Sequence, residues 1–228
     1  MSPARIDFYE QANRFFTFVV WGLFVFSLIL ASWYDTWLEA FVIGLPAALI
    51  PTLLANTQAT SAATRISFGI SLMIFSALHI QQAHGMIEIH FGIFVSLAML
   101  LYFHDWRPVL AAAGTIAIHH LLFSYLQQDN NGIYIFESNN NFSIVLIHAA
   151  YVIVESGLII YLARKAEAEF RQNEELSEIG NQISQVGEID LRYRVENPQG
   201  TFSHGFNNFF DQFDGLVSRV GGLSLITI

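Results

Sequence analysis

Long apolar runs separated by short polar segments fill the first two thirds of the chain. Six runs are long enough to cross a bilayer, which takes about 20 residues each. They cover residues 15–34, 37–55, 66–83, 87–104, 107–126 and 142–163. The first run is longer than the apolar part of a cleaved signal peptide, so we expect it to be retained. The pattern predicts an all-α fold, with a six-helix transmembrane bundle in residues 1–163.

The basic residues lie on one side of this predicted bundle. If the N-terminus is inside, that side holds Arg5, Arg14, Arg65, Arg107, Arg164, Lys165 and Arg171. The opposite loops contain acidic residues and no Lys or Arg. Cytoplasmic loops are the ones enriched in Lys and Arg, so both termini are expected in the cytoplasm of a bacterium, with the bundle in its inner membrane. The longest outer loop, 127–141, is too short for a ligand-binding domain, so the stimulus is expected within the membrane or at its outer rim.

The pattern changes at residue 164, where polar and charged positions become frequent. Two apolar seams with coiled-coil spacing follow, separated by a connector that begins at Gly187 and runs without helical period to Pro198. The seam residues are Leu176, Ile179, Ile183 and Val186, then Phe206, Phe209, Phe213, Leu216 and Val220. The pattern predicts a cytoplasmic helix–connector–helix relay over residues 164–228. An amphipathic hairpin packed on itself or on the membrane is the alternative.

Composition narrows the chemistry that the chain can perform. Charged residues make up 13% of the 228 residues, against roughly a quarter in soluble domains. There is no cysteine, which excludes disulfides, thiolate metal sites and cysteine nucleophiles. The net charge of −9 comes largely from the part after residue 164. Histidine is therefore the residue type on which an intramembrane site would depend.

The predicted spans carry five histidines at similar depth, when depth is counted at about 1.5 Å per residue. They are His79, His90, His119, His120 and His148, from four different spans. All lie in the outer half, and His84 caps the rim. Ionisable residues within membrane spans usually mark functional sites. Five in one layer favour a cofactor or metal site over isolated packing residues.

The chemistry of imidazole leaves the bound group open. Two histidines on facing helices can hold haem b in an apolar bundle, whereas copper or zinc would take three or four. The candidate metal ligands are His84, His90, His120 and His148. Three further residues are candidates for orienting a ligand histidine: Glu88 near the rim, and Tyr151 and Glu155 on the helical face of His148. For Glu155, a hydrogen bond to a neighbouring span is an equally favoured interpretation.

Three segments carry a family resemblance. HGMIEIHFGIFVSLAMLLYFHDWRP, AIHHLLF and IHAAYVIVES resemble a multi-span sensory module that heads methyl-accepting chemotaxis receptors, diguanylate cyclases and some histidine kinases. The resemblance points to His79, Glu88, His90, His119, His120 and His148. Relatives often carry a further histidine at the position of Gly92. GEIDLRYRV and FNNFFDQFDGLVSRV are similar to the connector and second helix of a HAMP domain.

The resemblance implies a transmembrane sensor rather than an enzyme. HAMP domains are parallel homodimers, so we expect a homodimer in the lipid bilayer that acts through an output domain on a chemotaxis adaptor and a histidine kinase, with no role for nucleic acid. The alternatives are a b-type cytochrome-like membrane oxidoreductase and an input module of a diguanylate cyclase or histidine kinase. A metal transporter is disfavoured because the inner halves of the spans are largely apolar.

Overall fold

The computed structural model describes residues 1–129, 132–137, 142–185, 194–195, 198 and 201–226, without the side chains of 181–185, 201 and 220–226. Within these residues the fold is all-helical and contains no strand. The chain divides into two compact units, Met1–Lys165 and Ala166–Ile228.

The helices of the first unit follow the predicted apolar runs closely. In order they are α1 Pro3–Tyr34, α2 Trp37–Glu39, a π-helix Ala40–Gly44, α3 Leu45–Thr57, α4 Ala62–Gln82, α5 Ile87–Met99, a 3-10 helix Leu100–Phe103, α6 Trp106–Gln127 and the start of α7 Phe142–Gln185. Five segments are long and apolar enough to cross a membrane: α1, Trp37–Thr57, α4, α6 and α7. The predicted fourth span is a shorter apolar helix, Ile87–Phe103, so the count of six spans stays a prediction.

Local sequence sets where these helices begin and how they bend. The side chains of Ser2, Ser61 and Asp105 accept backbone N–H groups at the starts of α1, α4 and α6. Pro46, at the start of α3, has no N–H to donate to the preceding turn. The helix widens into the π-helix just before it, which is how a membrane helix tolerates proline.

Helix α4 is the centre of the first unit. It contacts α1, α3, α5 and α6, and its side chains contribute much of the buried core. Gly69 lets α4 approach α6 closely, because a Cβ atom there would lie 2.5 Å from the carbonyl oxygen of Pro108. The other helices are therefore arranged around α4.

A buried ion pair joins α4 to the start of α6. Arg65 donates from Nε and Nη2 to Oδ2 of Asp105, both at 3.0 Å, and both side chains are buried. The guanidinium also lies 4.1 Å from the centre of the Tyr9 ring. Asp105 also caps α6, accepting the N–H of Arg107 at 3.0 Å, and it is buried because Arg65 balances its charge.

We predict that Asp105→Asn lowers the free energy of unfolding by about 3–5 kcal/mol, since removing one partner leaves a buried charge uncompensated. Asparagine caps helices as well as aspartate does, so the loss would report the ion pair alone. Denaturant unfolding in mixed micelles measures it. Asp35→Asn, at an exposed turn, is the matched control, and equal stability of the two variants would contradict the prediction.

The second unit contains the end of α7 from Ala166, together with α8 Thr201–Ile226. Ser203 donates to Glu175 at 2.7 Å, and Ile179 and Phe210 are buried. Asn207 holds the backbone of Val195, accepting its N–H at 2.9 Å and donating to its carbonyl at 3.1 Å.

The two predicted seams are covered only in part. Val186, Gly187 and most of the connector lie outside the described residues, as do the side chains of Ile183 and Val220. Within α8, Phe210 is buried, whereas Phe209 and Leu216 on the predicted seam are 60% and 58% exposed. The HAMP-like arrangement stays a prediction.

Candidate functional site

Three of the predicted histidines meet at one end of the first unit, the end that carries His84. His90 lies in the second turn of α5, His120 near the end of α6 and His148 in the second turn of α7. The ring centre of His90 is 5.6 Å from that of His120 and 5.5 Å from that of His148, and the third separation is 6.3 Å. We call these three residues the histidine triad.

Each triad imidazole is held by the helix on which it lies. Its Nδ1 is within hydrogen-bond distance of the backbone carbonyl four residues earlier. Those carbonyls belong to Met86, Ile116 and Ile144, at 3.1, 3.1 and 2.9 Å. A carbonyl oxygen only accepts, so the proton of each neutral ring lies on Nδ1 and the lone pair lies on Nε2.

The Nε2 atoms of His90 and His120 are buried without a hydrogen-bond partner. Their side chains are only 2% and 6% exposed. Burying a polar atom unpaired is costly, so these two nitrogens require an explanation. Among the described residues, no set of three or more histidine and acidic side chains already has its donor atoms close enough together to hold a metal ion.

The described part of the loop between α6 and α7, residues 132–137, covers the triad. We call it the outer loop. Phe136 stacks on His90 at 5.7 Å with an angle of 7° between the rings, and its centre is 5.3 Å from that of His148. Ile135 beside it is fully buried. The triad is therefore closed from the rim by an apolar cap.

Two glutamines hold the outer loop in place. Gln127 donates to the carbonyl of Phe136 at 2.7 Å and accepts the N–H groups of Ile135 and Phe136 at 2.9 and 3.2 Å. Gln81 bonds to Gly132 and Tyr134 in the same way, each at 2.8 Å. Sequence reasoning missed both glutamines. The available signal was a glutamine at the end of each of two apolar helices.

Gly85 is required beneath the same loop. Its φ of +80° is one that residues with a side chain rarely adopt. A Cβ atom at this position would also lie 2.5 Å from the carbonyl carbon of Phe136. The turn between α4 and α5 therefore fixes how closely the apolar cap approaches the triad.

An apolar cavity of about 410 Å³ extends from the triad between α5, α6 and α7. His120 and His148 line one part of the cavity, and its lining continues along α7 as far as Ile160. Ser156 is the other polar side chain among the described lining residues, and its hydroxyl oxygen is buried without a partner. We call this space the α5–α7 cavity. Its lining suits an apolar molecule of modest size.

The structure places the other predicted histidines elsewhere. His79 lies between α1 and α4, with Nε2 2.9 Å from the Ser27 hydroxyl and 3.1 Å from the Leu23 carbonyl. His84 adopts a left-handed backbone at the rim, with its ring 4.9 Å from that of Tyr34 and 4.6 Å from that of Tyr134. Neither is brought together with the triad.

His119 is adjacent to the triad but is oriented differently. Its Nδ1 is 3.5 Å from Nδ1 of His120, and its ring packs on Phe123 at 4.3 Å. Gly92, where relatives often carry a histidine, has open space around the position of a Cβ atom. The three histidines of the triad come from other positions, so the triad does not include position 92.

The three residues predicted to orient a ligand histidine make no hydrogen bond to the triad in the described structure. Glu88 is exposed, and Tyr151 is exposed on the surface of α7. Glu155 is half-buried, with Oε2 buried and unpaired. The triad rings are bonded instead to backbone carbonyls of their own helices, and Nδ1 of His120 also lies 3.5 Å from Nδ1 of His119.

No protein-family model matches this chain, and neither the curated proteins nor the solved structures contain a significant match to it.

We predict that Gln127→Ala releases the outer loop. It removes three hydrogen bonds worth about 1 kcal/mol each, so amide exchange at Ile135 and Phe136 should accelerate roughly 10-fold or more. Hydrogen–deuterium exchange of a peptide that covers residues 132–137 measures this. Gln128→Ala, an exposed neighbour, is the control. Equal exchange in both variants would show that Gln127 does not hold the loop.

Proposed function

We propose that this chain is a transmembrane signal-transducing sensor of the chemotaxis-receptor type. It detects a redox or small-ligand stimulus at the histidine triad and relays it through a HAMP-like dimer. The observation that carries the proposal is the meeting of three imidazoles, from three different helices, in an apolar layer. Such a cluster is costly to bury unless it binds something.

The triad would hold either haem b or a copper or zinc ion. When bound, haem or copper supplies a reversible change of oxidation state or an open position for a small ligand. The chain supplies the rest. Carbonyls on Nδ1 orient the rings, Phe136 excludes water from the rim side, and the α5–α7 cavity leaves room for an apolar molecule beside His120 and His148.

The proposed orientation is supported by contacts that gather basic residues at one end of the first unit. Arg65 is paired with Asp105, two residues before Arg107. Arg164 lies 5.5 Å from the ring centre of Trp106. That end would face the cytoplasm and the triad would lie in the outer half of the bilayer, with both termini cytoplasmic.

Helix α7 supports the route of the signal. It carries His148 in its second turn and continues as one helix to Gln185. A change at the triad that moves His148 would therefore act on the helix that also carries Ile179 of the relay. The exposed apolar residues Phe209 and Leu216 on α8 suit a second copy of the chain. The dimer would pass the change to an output domain, an adaptor and a histidine kinase, without chemistry of its own.

The first test is for the bound group. We expect detergent-purified protein to contain stoichiometric iron, copper or zinc, because two buried imidazoles with unpaired Nε2 atoms, together with the half-buried His148, would capture one. Absorption spectra of oxidised and dithionite-reduced samples identify haem by a Soret band that shifts on reduction and a sharp α-band that appears with it, and metal analysis of the same sample identifies a bare ion. A colourless preparation without stoichiometric metal would remove the cofactor from the proposal.

The second test is for the relay. The chain has no native cysteine, so Phe209→Cys introduces a single thiol. We expect a bis-maleimide to yield covalent dimers in membranes, because this seam position would face its counterpart in a parallel dimer. Asn208→Cys, exposed but off the seam, should crosslink far less. Equal yields, or monomer alone, would contradict the dimeric relay.

A further inference from the structure

We infer that the triad binds a single cuprous ion directly, through the Nε2 atoms of His90, His120 and His148, beneath the ring of Phe136. This copper site deepens the proposed function, and what binding does to the protein rests on that proposed function. Whether the ion binds depends only on the geometry of the first unit.

The first step concerns the donor atoms. Because each Nδ1 is committed to a carbonyl, each Nε2 offers a lone pair and has no proton to donate. The backbone of Ile135 lies beside the His90 ring, but its carbonyl cannot satisfy an unprotonated nitrogen. Two buried nitrogens thus lack a partner. An unpaired buried nitrogen destabilises the fold, and a cation between the two would remove that cost.

The second step concerns size. With metal–nitrogen bonds of about 2.0 Å, three imidazoles around one ion hold their ring centres roughly 5–6 Å apart. Two of the observed separations, 5.5 and 5.6 Å, lie within that range. The third, 6.3 Å between His120 and His148, is longer, and the donor atoms of the three rings do not yet meet, so binding requires the rings to turn toward one another. His148 is half-buried and borders the α5–α7 cavity, so it has room to turn.

The third step distinguishes a bare ion from haem. His120 and His148 are the most nearly parallel pair, at 26°, and would be the pair to flank a haem iron. The ring of His90 lies 5.6 and 5.5 Å from these two, in the space that a porphyrin between them would occupy. Phe136 closes the adjoining side. The arrangement therefore fits a bare ion better than haem, since a macrocycle would enter only if the helices separated.

The fourth step concerns charge. The three ligands are neutral, and in the described structure no carboxylate is bonded to any of them. The cost of burying an ion rises steeply with its charge, so a monovalent ion is favoured over a divalent one. Imidazole is a good ligand for copper. An aromatic ring within about 6 Å adds a cation–π attraction, and Phe136 is positioned to provide it.

The test is anaerobic titration of the purified full chain with Cu(I) in competition with bicinchoninate. We expect the wild-type chain to bind one ion. His148→Ala should lower the affinity for Cu(I) at least roughly 100-fold, because even groups that only orient a metal ligand contribute 10–100-fold to metal affinity. His204→Ala, at an exposed histidine of α8, should bind as wild type does. Absence of stoichiometric Cu(I), or equal affinity in both variants, would overturn the inference.

X-ray absorption on the wild-type complex supplies a measurement that needs no variant. Three imidazole nitrogens at about 2.0 Å would support the site, and fewer than three imidazoles would overturn it. Hydrogen–deuterium exchange over residues 201–219 with and without Cu(I) separates this inference from the proposed function. Binding without a change in α8 would keep the copper site and count against the sensor. If the purified protein contains haem or zinc and does not bind Cu(I), the copper site is wrong, but the proposed sensor function is not contradicted.

Discussion

Polar side chains inside this bundle must find their partners within the protein, because lipid chains offer no hydrogen bonds. Most of them do. Ser27, Ser76 and Thr52 donate to carbonyls of their own helices, and Arg65 is matched by Asp105. Among the described side chains a few buried polar atoms stay unpaired, and the amide oxygens of Asn13 and Gln82 belong to groups whose nitrogen is bonded. The two triad nitrogens differ because their rings, with centres 5.6 Å apart, belong to the same cluster.

The same constraint builds the closure over the triad. A loop that runs back over an apolar bundle exposes backbone groups that need partners. Gln127 and Gln81 provide them from the ends of α6 and α4, which fixes Phe136 against His90. Because α4 is also joined to the start of α6 through Arg65, the helices beneath the loop have a defined spacing. The site thus depends on polar contacts at both ends of the bundle.

Sequence patterns predict some of this arrangement and not the rest, for a geometric reason. Hydropathy locates the helices, and counting residues along them places His79, His90, His120 and His148 at similar depth. Depth does not say in which direction a side chain points around its helix. His79 consequently faces Ser27 on α1, while the other three converge. The burial of Asp105 escapes prediction for a related reason, since Arg65 lies 40 residues away in sequence and touches it only because α4 packs against α6.

The three residues of the triad are not held equally firmly by the helices around them. His90 and His120 are buried on helices that contact α4, which limits how far either can move. His148 is half-buried, and the α5–α7 cavity lies along its helix, lined by Ala149, Gly157 and other small or apolar side chains. Well-packed interiors resist displacement, whereas a cavity leaves atoms without opposing contacts. A ligand that draws the three rings together would therefore displace α7 most, and α7 is the helix that continues beyond the first unit.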